Sequence, residues 1–118
     1  MKLNDLRPGN KLLISDTNEV CTIISFSGKY ILYNSGTRSG KVLFKCFKPT
    51  PLTQEWLVNF GFINDNGTEY PNYKLSFYTC MWRNGKTNFC NNHGFIKDLK
   101  YVHELQNLYY VLTEKELL

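Results

Sequence analysis

Four short runs rich in β-branched and aromatic residues crowd the first 48 positions, and this spacing constrains the chain more than any other feature. "KLLI" (11–14), "VCTIISF" (20–26), "YILY" (30–33) and "VLFKCF" (42–47) are separated by Asp16-Thr17-Asn18, by Gly28-Lys29 and by a Gly-rich loop. Pro8-Gly9 turns the chain into the first run. Such runs favour strands, and the residues between them favour tight turns. Four strands in so few residues predict a small twisted barrel. In the last run Val42, Phe44 and Cys46 share one face, and Leu43, Lys45 and Phe47 share the other, so one side is core and the other partly wet.

The Gly-rich loop "NSGTRSGKV" (34–42) has the outline of a phosphate-binding loop. In that motif four residues separate the glycines, and a Ser or Thr follows the Lys to hold magnesium. Here Gly36 and Gly40 enclose three residues, and Val42 follows Lys41. A phosphate loop also opens a helix, whereas the residues after Lys41 read as a strand. The stretch is therefore expected to be a hairpin connection.

The second half changes character. Pro49 and Pro51 stop the preceding strand, and Thr53 is a good N-cap with Glu55 in the first turn. Gly61 is suited to end the helix in a left-handed conformation. Trp56, Phe60 and Phe62 are expected in the core. "NDNGTEYPN" (64–72) reads as a polar loop. Tyr73–Trp82 reads as one long strand, joined through Asn84-Gly85 to Thr87–Cys90 as a hairpin. Tyr73, Leu75, Phe77, Thr79 and Met81 then face one way and Lys74, Ser76, Tyr78, Cys80 and Trp82 the other. Both faces carry aromatics, which fits burial on both sides or one face left for stacking. "LKYVHELQNLYYVL" (99–112) has helical periodicity, with Val102, Leu105, Leu108, Tyr109 and Leu112 as its apolar stripe. His103 is expected on the solvated side, and "TEKE" (113–116) has capping-box spacing that allows a new helical turn.

The four cysteines lack zinc-ribbon spacing and the density of a secreted disulfide scaffold. The hairpin register places Cys80 opposite Phe89 and Cys90 opposite Thr79, so a Cys80–Cys90–His93–His103 metal set would need side chains from opposite faces. Reduced, buried thiols and no cofactor are expected. Catalysis finds little support either. His93 lies in a turn and His103 on a helix, with nothing to bring them together as acid and base. A Cys90–His93–Asp98 set lacks a means of lowering the thiol pKa. No run approaches the length of a membrane span, so a cytoplasmic, non-enzymatic protein is the expectation. The chain has 118 residues and a net charge of +4, and the charge is uneven. Residues 1–48 hold eight Lys and Arg against three acids, and the remainder six against seven. A basic first half suits an anionic partner or a solvated barrel surface.

Three stretches also carry resemblances. "LRPGNKLLI" (6–14), followed by a hairpin, resembles the opening of SH3-like barrels. "PTPLTQEWLVNFGF" (49–62) and "KYVHELQNLYYVLTEKEL" (100–117) together resemble a family of small proteins encoded by phages and prophages of Bacteroidetes. The expected architecture is α+β: an SH3-like barrel over 1–48, then a mixed half over 49–118 with a short helix, a β-hairpin and a C-terminal amphipathic helix, packed as one compact unit. The resemblance carries over no catalytic residue. It implies an accessory protein of a mobile element that binds and blocks a host defence nuclease, an anti-CRISPR-type inhibitor whose partner is a CRISPR effector or its guide-RNA complex. The other expectations are an RNA or single-stranded nucleic-acid-binding module and a phage structural or assembly protein. Candidate contact residues are Arg38, Lys41, Lys45, Tyr78, Trp82, Arg83, Lys86 and Tyr110, with aromatics as anchors and cations for an acidic surface or RNA backbone.

Overall fold

A computed structural model describes residues 1–36, 38–65, 71–83 and 86–118. The protein is α+β, with two antiparallel five-stranded sheets and two α-helices. It divides into two compact units, one comprising Met1–Thr50 with Tyr101–Leu118 and the other Pro51–Lys100. This differs from the expected break after residue 48, because the C-terminal helix belongs with the first sheet rather than with the residues that precede it.

In the first unit β1 (Lys11–Ile14), β2 (Val20–Ser27), β3 (Tyr30–Asn34) and β4 (Ser39–Leu43) form a meander, and β5 (Phe47–Pro49) returns to pair with β1. The sheet order is β4-β3-β2-β1-β5, and among the described residues β4 and β5 do not pair to close it. The expected single strand over 42–47 is broken by a 3-10 turn at Phe44–Cys46. The cause lies in pairing: Val42 lies opposite Ile31 on β3, but Phe47 lies opposite Ile14 on β1, so the chain must change neighbours between them. Leu6, Leu12, Ile14, Cys21, Ile23, Ile31, Tyr33 and Phe47 make the core, with Leu3, Phe26, Val42 and Phe44 packed against it.

Helix α2 (Val102–Thr113) starts where the Glu104 carboxylate accepts the Tyr101 N–H at 2.9 Å. It buries Val102, His103, Leu105, Gln106 and Tyr109, a stripe that includes two polar residues, while Leu112 is exposed. His103 is thus only 5% exposed rather than solvated. Gln106, 1% exposed, supplies what an aliphatic residue could not. Its amide donates 2.9 Å bonds to the Gly9 and Leu117 carbonyls, and its oxygen accepts the Lys11 N–H at 2.9 Å. Buried backbone groups need such partners. The expected new turn at 113–116 does not form. Glu114 adopts a left-handed conformation (φ 60°), and the Thr113 hydroxyl donates back to the Tyr109 carbonyl. The tail then continues extended, with Glu116 held by Arg7.

In the second unit α1 (Gln54–Asn59) begins at Thr53, whose hydroxyl oxygen accepts the Trp56 N–H at 3.3 Å. It ends at Gly61 (φ 98°), with the Gly61 and Phe62 N–H groups bonded to the Val58 and Leu57 carbonyls. That pattern satisfies the helix's last carbonyls and needs a left-handed residue. Leu57 and Phe62 are buried, whereas Trp56 and Phe60 are half-buried with rings 5.5 Å apart.

The second sheet has the order β10-β9-β8-β7-β6, from β6 (Ile63–Asp65), β7 (Asn72–Leu75), β8 (Tyr78–Arg83), β9 (Lys86–Asn91) and β10 (Gly94–Leu99). The expected long strand over 73–82 is two strands, folded at Ser76-Phe77. Leu75 lies opposite Tyr78, Ser76 takes φ 56°, and Phe77 is left 69% exposed at the tip. The split places Tyr73 opposite Cys80, so the two share a face, whereas a single strand would have put them on opposite ones. The start of the expected loop over 64–72 is strand, with Asn64 opposite Tyr73, and residues 66–70 lie outside those described. The Asn84-Gly85 turn also lies outside them, although its flanks Arg83 and Lys86 are paired. Cys80 opposite Phe89 and Cys90 opposite Thr79 match the expected register.

Two measurements test this account of the first unit. Gln106→Leu removes these three bonds and a longer one from the Asn10 amide at 3.5 Å, and strands the backbone partners, so equilibrium urea unfolding should give a loss of about 3 kcal/mol. Burial lowers the His103 pKa from its ordinary 6.5, against the opposing pull of the Glu104 and Asp5 carboxylates. The folded state therefore favours neutral imidazole. Its contribution is full above 6.5 and is lost as the pH falls from there through the folded-state value. Between about pH 7.5 and about pH 5 the urea midpoint should fall less in His103→Leu than in the parent.

Candidate basic docking surface

The β2–β3 hairpin turns on Gly28 (φ 59°) and Lys29, between the paired residues Ser27 and Tyr30. Lys29 accepts the Phe44 N–H on its backbone oxygen at 2.8 Å, which fixes the 3-10 turn beside the hairpin. Leu3, Lys29, Leu43, Phe44 and Lys45 consequently line a groove of about 350 Å³. Three of its lining residues are apolar and two are lysines. The neighbouring Lys41 holds its Nζ 5.0 Å from the Tyr30 ring centroid, and Tyr30 is 42% exposed. Among the described residues no carboxylate pairs with Lys29, Lys41 or Lys45. Cations beside an aromatic ring and apolar side chains suit a partner that offers negative charge and nonpolar surface together.

Arg38 behaves differently. Its guanidinium lies 2.7 Å from the Glu19 carboxylate, spanning the β1–β2 and β3–β4 connections. The Ser35 hydroxyl, then Arg38, hold the Glu19 carboxyl below the usual range. Arg38 thus has its counter-charge within the unit. Two N–H groups of the Gly-rich loop also find partners within it: the Gly36 N–H donates to Asn34 Oδ1 at 2.7 Å, and the Ser35 N–H to the Arg38 carbonyl. It opens onto β4, a strand, as the hairpin reading requires.

The remaining expected contact residues sit elsewhere. Tyr110 lies on α2 with the Arg7 guanidinium 3.8 Å above its ring, and Arg7 in turn pairs with Glu116. One face of Tyr110 is therefore occupied. Tyr78, Trp82, Arg83 and Lys86 belong to the second unit. Tyr78 stacks on buried Phe89 at 5.2 Å, and Trp82 is half-buried opposite Thr87. Arg83 and Lys86 are exposed and lie opposite each other on β8 and β9. Lys29, Tyr30 and Leu43 are absent from the sequence reading of contacts. The β3–β4 register, in which Tyr30 lies opposite Leu43, is what brings Lys29 beside Phe44.

Among the described residues no group of three or more His, Cys, Asp or Glu side chains could hold a metal ion, and no helix is long and apolar enough to cross a membrane. Cys80 is buried in the second unit and His103 in the first. No family model, curated protein or solved structure matches the chain.

Burial pushes the Cys21 thiol up to about 11 and the Cys80 thiol up to about 12, and it also raises Cys90. A thiol reacts as its thiolate. At about pH 8, a disulfide reagent should leave Cys21 and Cys80 unmodified in the native protein and label them on denaturation, as peptide mapping would read.

Proposed function

We propose that the chain is a non-catalytic binding protein of a mobile genetic element. Working in the cytoplasm of a bacterial host, it captures an anionic macromolecular surface at the basic end of its first sheet. Through that contact it inhibits a host defence nuclease, an anti-CRISPR-type role with an effector or its guide-RNA complex as the target. The observation that carries the reading is the grouping of Lys29, Lys41 and Lys45, without carboxylate partners among the described residues, around an apolar groove and the exposed Tyr30 ring. Uncompensated charge of one sign raises encounter rates with the opposite sign. The phage-family resemblance supplies the biological setting.

The first unit is read as SH3-like. A four-strand meander, the 3-10 turn after β4 and the return of β5 beside β1 support that likeness. Arg38 serves in this reading as a brace between two loops, and Lys41 and Lys45 as direct contacts. Tyr78, Trp82, Arg83 and Lys86 would offer the second unit's own contacts, and Tyr110 an aromatic held by Arg7.

A second reading is favoured by the Lys41–Tyr30 pair: the same surface stacks on a base of single-stranded RNA while its lysines hold phosphates. Affinity purification of the tagged protein from its host, analysed by mass spectrometry and nuclease sensitivity, separates the two. A stoichiometric host nuclease is expected; nuclease-sensitive material without a protein partner selects the RNA reading. The triple variant Lys29→Glu, Lys41→Glu, Lys45→Glu should weaken capture at least about tenfold with its melting temperature retained. Undiminished capture would remove this surface from the function.

A further inference from the structure

The two sheets present four edges. β5 has three residues and ends in Pro49, which has no N–H to offer. β6 also has three residues. β10 has six, but its register is broken between Phe95 and Lys97, beside a charged side chain. Short strands, proline, bulges and lysine are the usual means by which a protein blunts an edge. β4 differs in length and regularity: five residues, Ser39–Leu43, in unbroken register with β3 and without proline, with Lys41 as its one charged side chain.

The direction of its backbone groups follows from two hydrogen bonds beyond its ends. The Phe44 N–H donates to the Lys29 carbonyl, and the Ser35 N–H to the Arg38 carbonyl. Both pairs continue the β3–β4 register, in which Tyr30 lies opposite Leu43 and Asn34 opposite Ser39. Antiparallel pairs alternate between bonded and non-bonded. Val42 and Gly40 are therefore bonded to β3, and Ser39, Lys41 and Leu43 are not. Three N–H groups and three carbonyls, about 6.8 Å apart along the strand, point away from the sheet. Among the described residues no strand pairs with that edge.

Side chains add a pattern to this template. Lys41 and Leu43 share one face with Tyr30, and Lys29 and Lys45 flank the end of the strand. Val42 lies on the opposite, core-packed face. We infer that β4 receives an extended acidic segment of a protein partner as a sixth strand, with acidic side chains toward Lys41 and aliphatic ones on the Val42 face. Main-chain hydrogen bonds then give affinity, and alternate side chains give selectivity. The inference rests on the basic-surface reading above and names its partner chemistry and binding mode.

The probe is a short fluorescent peptide of alternating valine and glutamate, with an equally charged, proline-interrupted peptide and a single-stranded RNA as comparisons. Amide exchange of the unaltered protein should show Ser39, Lys41 and Leu43 exchanging fast when free and protected by the alternating peptide. The proline-interrupted peptide should bind at least about tenfold more weakly, since it cannot complete the ladder. Ser39→Pro deletes an outward N–H with the lysines retained and should weaken the alternating peptide by a similar factor. If that variant does not fold, the exchange measurement on the unaltered protein decides. Equal binding of both peptides without protection of the three amides would overturn strand addition and leave anion docking standing. RNA binding without peptide binding would overturn it in favour of a nucleic-acid partner. Failure of all three probes would overturn the basic-surface reading as well.

Discussion

One buried amide holds the first unit together. Gln106 reaches the Gly9 carbonyl, the Lys11 N–H and the Leu117 carbonyl from a single side chain. These groups mark the entry to the interior strand β1 and the extended tail after α2. An aliphatic residue there would pack, but it would leave three buried polar groups without partners. Around it Asn10 donates to Asn107, Asn107 donates to the Asp5 carbonyl, and Arg7 sits between Glu116 and the Tyr110 ring. Each bond joins the start of the chain to its last helix or tail, so β1 is fixed to α2 by polar contacts as well as by apolar packing. With β1 set, β2 and β5 take their places on either side of it.

That arrangement also distributes charge. Lys11, Thr22, Asn34 and Ser39 form one row across the sheet, near the end where Arg38 and Glu19 neutralise each other. The opposite end of β3 and β4 carries Lys29, Lys45 and the Lys41–Tyr30 pair. A single sheet thus has an ion pair and a lysine bonded to the Thr22 hydroxyl near one end and three lysines without carboxylate partners among the described residues at the other. Desolvating an ion pair against a partner is costly, whereas a lysine on a hydrated rim keeps its reach.

Features set by near neighbours were readable in the chain. Thr53 and Gly61 bound α1 because cap chemistry is local, and the β8–β9 register follows from where Asn84-Gly85 falls in the sequence. What escaped depends on distant partners. Ser76-Phe77 lacks the Gly, Asn or Pro that usually announces a turn, and only the pairing of β7 with β8 holds Ser76 at positive φ. The break at 44–46 exists because β5 must reach β1. His103 and Gln106 look polar and solvated by composition, yet backbone groups nearly a hundred residues away give Gln106 its partners. The β10 strand escaped too, since Gly94–Leu99 mixes apolar and charged residues with a bulge. For the binding surface, Lys41 and Lys45 were legible as exposed cations on a basic half, but Lys29 was recorded only as a turn residue.

The first unit is discontinuous: Met1–Thr50 waits for Tyr101–Leu118, and the whole of Pro51–Lys100 lies between them. At ribosomal rates of about 5–20 residues per second, that insert takes roughly 3–10 s to synthesise. The second unit is contiguous in sequence and can form as it emerges. The sheet of the first unit must spend those seconds without α2, and closing so long a loop carries an entropic cost that slows the final docking. Nascent chains caught in this interval would expose the face that α2 later covers, so the N-terminal sheet is made first but finished after the unit inserted in it.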